Sequence, residues 1–191
     1  MVHSAAAPPA GGADRPLPAL PPLTLVLGGA RSGKSAHAEA LAEGSGLALR
    51  YLATSQAWDG EMQDRIRLHQ DRRGPAWTTT EEPLDLTGAL SRIAAPDAVV
   101  LVDCLTLWVT NLMMASQDVE QAGRDLAACL AALRGPVIFV SNEVGLGIVP
   151  DNAMARAFRD HAGRLNQTLA ACCQRVVFIA AGLPLVLKDI R

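Results

Sequence analysis

Short apolar runs bounded by turn residues occur at Leu23–Leu27, Ala48–Ala53, Ala98–Asp103, Val137–Ser141 and Val176–Ala180, the pattern of strands covered on both faces. Helical spacing of apolar residues fills most of the gaps between them, so the alternation predicts a mostly parallel sheet with helices on both sides. The first helix should begin within Gly28–Ser35 and run to about Ala42, where Gly44 and Gly46 stop it. A second begins at Asp59 as N-cap, carries Met62, Ile66 and His69 on one face, and ends near Gly74-Pro75. A third covers Leu105–Ala115. A fourth, roughly Gln117–Leu133, aligns Val119, Ala122, Leu126, Cys129, Leu130 and Leu133 as a core-packing stripe. The fifth starts at Asp151 and aligns Met154, Phe158, Leu165, Leu169 and Cys172, with Arg156, Arg159 and Arg164 elsewhere on its surface. A short polar-aromatic strand fits Trp77–Glu81. No internal repeat is present.

Composition narrows the class. The chain has 191 residues, half of them hydrophobic, enough for one sizeable core and too few for two ordinary domains. Residues 1–22 are rich in proline, alanine and glycine and lack both the basic start and the apolar centre of a signal peptide. They read as a disordered extension, which leaves residues 23–191 as a single domain. A net charge of −2 without any Lys/Arg block excludes a nucleic-acid or anionic-membrane partner as the expected one and favours a small anionic ligand. The longest apolar run, Ala98–Ala115, is broken by Asp103 and Asn111 and does not qualify as a membrane span. The four cysteines form no C-x-x-C pair and lie in apolar stretches, as reduced thiols of a cytoplasmic protein do.

Chemistry enters at Gly28-Gly29-Ala30-Arg31-Ser32-Gly33-Lys34-Ser35, a full G-x-x-x-x-G-K-[ST] phosphate loop directly after the first strand. Gly28 and Gly33 let the backbone curl so that N–H groups face inward, and the following helix adds its positive end. Lys34 then reaches the β/γ-phosphates of a nucleoside triphosphate, and Ser35 offers its hydroxyl to Mg²⁺.

Asp103 ends a buried strand at the sheet edge where open α/β folds place ligands, and so is the candidate to hold Mg²⁺ opposite Ser35. An aspartate there is also a ready N-cap for a helix starting at Leu105. Thr54-Ser55-Gln56 follows the second strand at the same edge and brings hydroxyl and amide groups toward the nucleotide, or simply satisfies a turn. His69 has Arg65 one helical turn before it, Arg73 one turn after, and Arg72 close by. These cations favour a neutral imidazole and can grip phosphate oxygens, which suits a nucleophile, although packing beside Met62 and Ile66 would suit a structural residue. The segment from Ser141 to Pro150 reads as a shaped loop over this edge, in which Glu143 is either a ligand or a satisfied loop carboxylate.

Taken together, Leu27–Glu39, Tyr51–Gln56, Arg65-Ile66-x-x-His69, Asn142-Glu143-Val144-Gly145-x-Gly147-Ile148-Val149-Pro150 and Phe158-Arg159-Asp160-x-x-Gly163-Arg164-x-Asn166-Gln167 closely resemble the bifunctional adenosylcobinamide kinase/adenosylcobinamide-phosphate guanylyltransferase family of cobalamin biosynthesis. The resemblance covers Thr24 to the C-terminus. It implies a RecA-like P-loop NTPase fold, a homotrimer, and two reactions. These are phosphorylation of the adenosylcobinamide hydroxyl with ATP or GTP, then transfer of GMP from GTP to that phosphate through a guanylylated histidine. His69 occupies the histidine position. The implied nucleotide site is Gly28 to Ser35, Thr54, Ser55, Gln56, His69, Gln70, Asp71, Arg72, Glu81 and Asp103, with Lys34 and His69 catalytic and Ser35 and Asp103 on Mg²⁺. Some relatives carry Glu where this chain has Asp103, which shortens the reach by one methylene while keeping a hard oxygen ligand. Two other classes fit the phosphate loop alone: a P-loop kinase of another small metabolite, and a RecA-like ATPase module without transfer chemistry.

Overall fold

The computed structural model describes residues 20–55 and 74–190. The first strand, β1 (Leu23–Gly28), is buried throughout. Leu23, Leu25 and Leu27 enter one apolar cluster and Val26 enters another. A period-two strand apolar on both faces needs cover on both, and that requirement builds the rest of the fold.

The chain continues through α1 (Lys34–Glu43), β2 (Ala48–Ala53), β3 (Trp77–Glu81), α2 (Leu86–Ile93), β4 (Ala98–Asp103), α3 (Leu105–Met114) and α4 (Val119–Cys129). A 3₁₀ turn at Leu130–Ala132 precedes β5 (Val137–Asn142), α5 (Ala153–Cys172), β6 (Arg175–Ala180) and β7 (Leu183–Asp189). The strands form one seven-stranded sheet in the order β3-β2-β4-β5-β1-β6-β7. Every neighbouring pair is parallel except β6 and β7. Leu86 and Leu90 of α2, Trp108 and Leu112 of α3, Leu126 of α4 and Leu165 and Leu169 of α5 cover one face. On the other, Ala38 and Ala42 bring α1 against Val26, Ile138 and Val140.

The strands expected from the sequence form within a residue of their expected bounds, including Trp77–Glu81. The helices expected near Lys34, Leu105, Gln117 and Asp151 also form. Asp118 caps α4 by accepting from Gln121 N, and Asn152 caps α5 by accepting from Ala155 N. The helix expected from Asp59 lies outside the described residues. Met154, expected in the apolar stripe of the fifth helix, is exposed, because the buried residues of α5 begin only at Ala162 and continue at Leu165, Asn166 and Leu169.

Two elements were not anticipated. The helix α2 is eight residues long and contains Gly88, too little for a periodic signal; Asp85 caps it by accepting from Gly88 N, and Leu86, Ala89 and Leu90 are buried. The strand β7 contains Pro184, which argues against a central strand but is tolerated at an edge. A turn through Ala181 (φ 51°) and Gly182 (φ 79°) folds it back on β6, the twist hairpins favour.

Leu20, within the expected extension, packs on the α1-side cluster, and Pro22 O accepts from Val137 N at 2.8 Å. No helix among the described residues is long and apolar enough to cross a membrane.

Candidate active site

Four parallel strands end at the same edge, at Gly28, Ala53, Asp103 and Asn142. The loop Gly28–Ser35 curls there for steric reasons. A methyl group on Gly28 would lie 2.5 Å from Ser32 Oγ and 2.7 Å from Ile179 O, so no larger residue fits. Gly33 has φ +98° and serves as N-cap of α1, a left-handed conformation that glycine adopts without strain. The β6–β7 turn braces the loop from outside, with Gly182 N donating to Ser32 O at 2.9 Å. Lys34 is buried and its Nζ donates to Gly29 O at 3.1 Å, so the ammonium is folded back over the loop. Ser35 follows it in the first turn of α1.

The register places the acid. Glu81, Ala53, Asp103 and Val140 form one row across β3, β2, β4 and β5, and Val140 pairs with Val26 of β1. In-register residues of a parallel sheet share a face. Ala53, Val140 and Val26 belong to the cluster under α1, so Asp103 and Glu81 stand on the face covered by the helix that follows the phosphate loop. The N-cap of α3 is Cys104, without a side-chain cap bond, so Asp103 does not cap that helix. The Cys104 thiol is pushed up to about 11, first by burial, then by Asp103, with Thr106, Leu107 and Lys34 opposing. Both charges therefore act on this one buried group.

Thr54 takes the turn-satisfying role that its position after β2 left open. It is fully buried. Its hydroxyl donates to Cys104 O at 2.8 Å and accepts from Cys104 N at 3.0 Å, while its own N–H donates to Asp103 O at 3.3 Å. The side chain organises the turn after β4. Ser55 is partly exposed beside it, and Glu81 is exposed at the end of β3. Gln56, His69, Gln70, Asp71 and Arg72, together with Arg65 and Arg73, lie outside the described residues.

Three asparagines to which the sequence assigned no role at the site complete the edge. Asn111, buried in α3, donates through Nδ2 to Thr54 O at 2.7 Å and to Pro83 O at 3.0 Å, joining the turns after β2 and β3. Asn142 donates to Thr106 Oγ1 at 2.7 Å, and Asn166 donates to Asn142 O at 3.3 Å. A lone amide inside an otherwise apolar helix such as α3 was the available signal, since buried amides demand partners. Glu143 accepts from Gly145 N at 2.5 Å, which is the loop-carboxylate role.

A divalent magnesium ion fits these residues. Mg²⁺ takes hard oxygen ligands and usually draws only one or two from protein beside phosphates and water. The Ser35 hydroxyl and the Asp103 carboxylate are such donors on one side of the sheet. Among the described residues no group of three or more His, Cys, Asp or Glu gathers at one place.

Residues 24–187 match the family model described as cobinamide kinase / cobinamide phosphate guanyltransferase. The bifunctional adenosylcobalamin biosynthesis protein CobP of Pseudomonas aeruginosa is 51% identical over 166 residues, covering 86% of this chain and 96% of that protein. CobU of Salmonella typhimurium, with the same description, is 42% identical over 181 residues, covering 87% of this chain and 99% of its own length. Among solved structures, the flagellar accessory protein FlaH of Methanocaldococcus jannaschii aligns with a TM-score of 0.51 at 12% identity, over 90% of this chain and 80% of FlaH. A Pyrococcus horikoshii protein aligns with a TM-score of 0.53 at 10% identity, over 91% of this chain and 89% of its own. These two likenesses bear on the fold alone. With a phosphate loop braced at the sheet edge, an acid on the face under α1 and these relatives, the chain belongs to the cobinamide kinase / cobinamide phosphate guanyltransferase family, whose members are transferases.

Proposed function

We propose that this chain phosphorylates adenosylcobinamide and then converts the product to adenosylcobinamide-GDP, both at the edge that carries Gly28–Ser35. The reading is supported by Lys34 folded over the phosphate loop and by Asp103 at the end of β4, on the face under α1, in a chain of this family. In the first reaction the substrate hydroxyl attacks the γ-phosphorus of ATP or GTP, the bond to the β-phosphate oxygen breaks, and the hydroxyl proton is released. Little covalent work falls to the protein, which positions the groups and offsets charge. Lys34 and the loop amides do so at the phosphates, and a Mg²⁺ ion held by Ser35 and Asp103 would supply further charge neutralisation.

In the second reaction a neutral His69 nitrogen attacks the α-phosphorus of GTP and pyrophosphate leaves. The phosphate oxygen of adenosylcobinamide phosphate then attacks the same phosphorus and the histidine is freed. Arg65, Arg72 and Arg73 are the cations near it in sequence. The nucleotide pocket of the proposal comprises Gly28 to Ser35, Ser55, Gln56, His69, Gln70, Asp71, Arg72, Glu81 and Asp103, with Thr54 supporting it from behind. The protein acts in the cytoplasm as a homotrimer. Support for self-association comes from β7, whose Leu183, Leu185, Val186 and Leu187 are exposed along an unpaired sheet edge, a surface that invites a second chain.

Incubation with GTP labelled separately at the α- and γ-phosphates tests the reading. The γ-label should pass to adenosylcobinamide, and the α-label should appear on the protein in an acid-labile, alkali-stable bond. Transfer of γ-label alone would reduce the chain to a kinase, and phosphate release without corrinoid would make it an ATPase.

A further inference from the structure

Between β5 and α5 the chain exposes a row of large apolar side chains. Leu146 is 84% exposed, Ile148 96% and Val149 61%, and Met154 in the first turn of α5 is 57% exposed. Large apolar side chains exposed this close together along the chain mark a surface that something else covers. Both ends of the segment are held. Glu143 N donates to Gly28 O at 3.0 Å, so the loop departs one hydrogen bond from the start of the phosphate loop. At the far end Arg156 donates to Pro150 O at 3.0 Å and Asp151 O at 2.7 Å. Between these anchors the backbone of residues 146–149 finds no hydrogen-bond partner among the described residues.

We propose that Leu146, Ile148 and Val149 form the seat on which the corrin ring of the substrate lies. The inference rests on the proposed activity toward cobinamide. The reacting hydroxyl must reach the phosphates at Gly28–Ser35, and the macrocycle that carries it has to rest on a surface next to that loop. The segment that adjoins Gly28 is where it would rest. Its chemistry matches the ligand's: a corrin presents methyl and methylene groups on its faces, and primary amides around its rim. The apolar side chains suit the former, and the unpaired N–H and C=O groups of residues 146–149 suit the latter. The rival occupant of this surface is a second copy of the chain.

The test is the full chain carrying Leu146→Ser together with Ile148→Ser. Both side chains are solvent-exposed, so the melting temperature should stay at the wild-type value. The KM for adenosylcobinamide, and the Kd for cobinamide from an absorbance titration, should rise about tenfold or more, as expected when uniform binding contacts are removed. The KM for the nucleotide should not move, and sedimentation should show the wild-type assembly. An unchanged corrinoid KM in an enzyme whose wild type turns over cobinamide overturns the seat while leaving the activity standing. A changed assembly state overturns it in favour of a second copy. A wild type that neither binds nor phosphorylates cobinamide overturns the activity itself.

Discussion

The Thr54 hydroxyl spans both backbone groups of Cys104, giving a hydrogen bond to its carbonyl at 2.8 Å and taking one from its amide at 3.0 Å. Through this pair the end of β2 dictates where the chain turns after Asp103. Thr54→Val keeps the shape and removes both bonds, leaving the buried Cys104 N–H unpaired while Cys104 O keeps the bond it accepts from Trp108 N at 3.2 Å. Such a loss costs about 1–3 kcal/mol. Urea unfolding should show the loss in Thr54→Val and little of it in Thr54→Ser, and kinase activity should follow the same order. Equal stability of the two variants would mean that the bonds contribute nothing net.

Lys34 sits buried over Gly29 O, within the loop expected to hold the phosphates. Lys34→Ala should lower phosphorylation and guanylyl transfer alike, each by about 10²-fold or more, the scale for removing a preorganised charge stabiliser. A variant that retained one reaction at wild-type rate would show that the two do not share this loop.

For Asp103, the register argument predicts a role in metal binding. Asp103→Asn should raise the Mg²⁺ concentration needed for half-maximal rate by at least about tenfold, the scale for disturbing even an outer partner of a metal, with an unchanged melting temperature. An unaltered Mg²⁺ titration would assign Asp103 to the fold.

The two reactions separate at His69. A phosphoramidate to GMP needs the ring nitrogen, whereas γ-phosphoryl transfer needs positioning and charge. His69→Ala should lose the covalent label from α-labelled GTP and all guanylyl transfer, yet keep measurable phosphorylation of adenosylcobinamide. Arg65→Ala should slow labelling more modestly. Label retained by His69→Ala would move the nucleophile elsewhere, with His37 of α1 next to be tested.

His37 makes a pH prediction of its own. Its imidazole is held below the ordinary histidine value of 6.5, first by burial and then by Arg175. The unfolded chain therefore takes up this proton first as pH falls. Stability from the neutral ring is complete above pH 6.5 and is lost as pH drops from there toward the folded value. His37→Gln should show a smaller fall in melting temperature between about pH 7 and pH 5.5 than the wild type does. An identical fall would place the titration in another group.

Local chemistry made much of this molecule legible before any coordinates. The phosphate loop is a contiguous motif whose glycines answer to backbone sterics within eight residues, and strands such as Val99–Val102 announce themselves because being buried on both faces leaves no polar position. The family resemblance followed from such contiguous segments. What the residues could not reveal alone depends on partners far along the chain. Thr54 looks like a ligand residue until Cys104, fifty positions away, takes its hydroxyl. Asn111 is an anomaly in an apolar helix until the turns at Thr54 and Pro83 meet it. Whether Asp103 would cap a helix or face α1 was open, because an aspartate after a strand serves either purpose. The choice was made by register, which sets Asp103 in one row with Ala53 and Val140 and so on the face under α1. β7 escaped notice because Pro184 is forbidden only where a strand has neighbours on both sides, and being an edge is a property of the sheet as a whole.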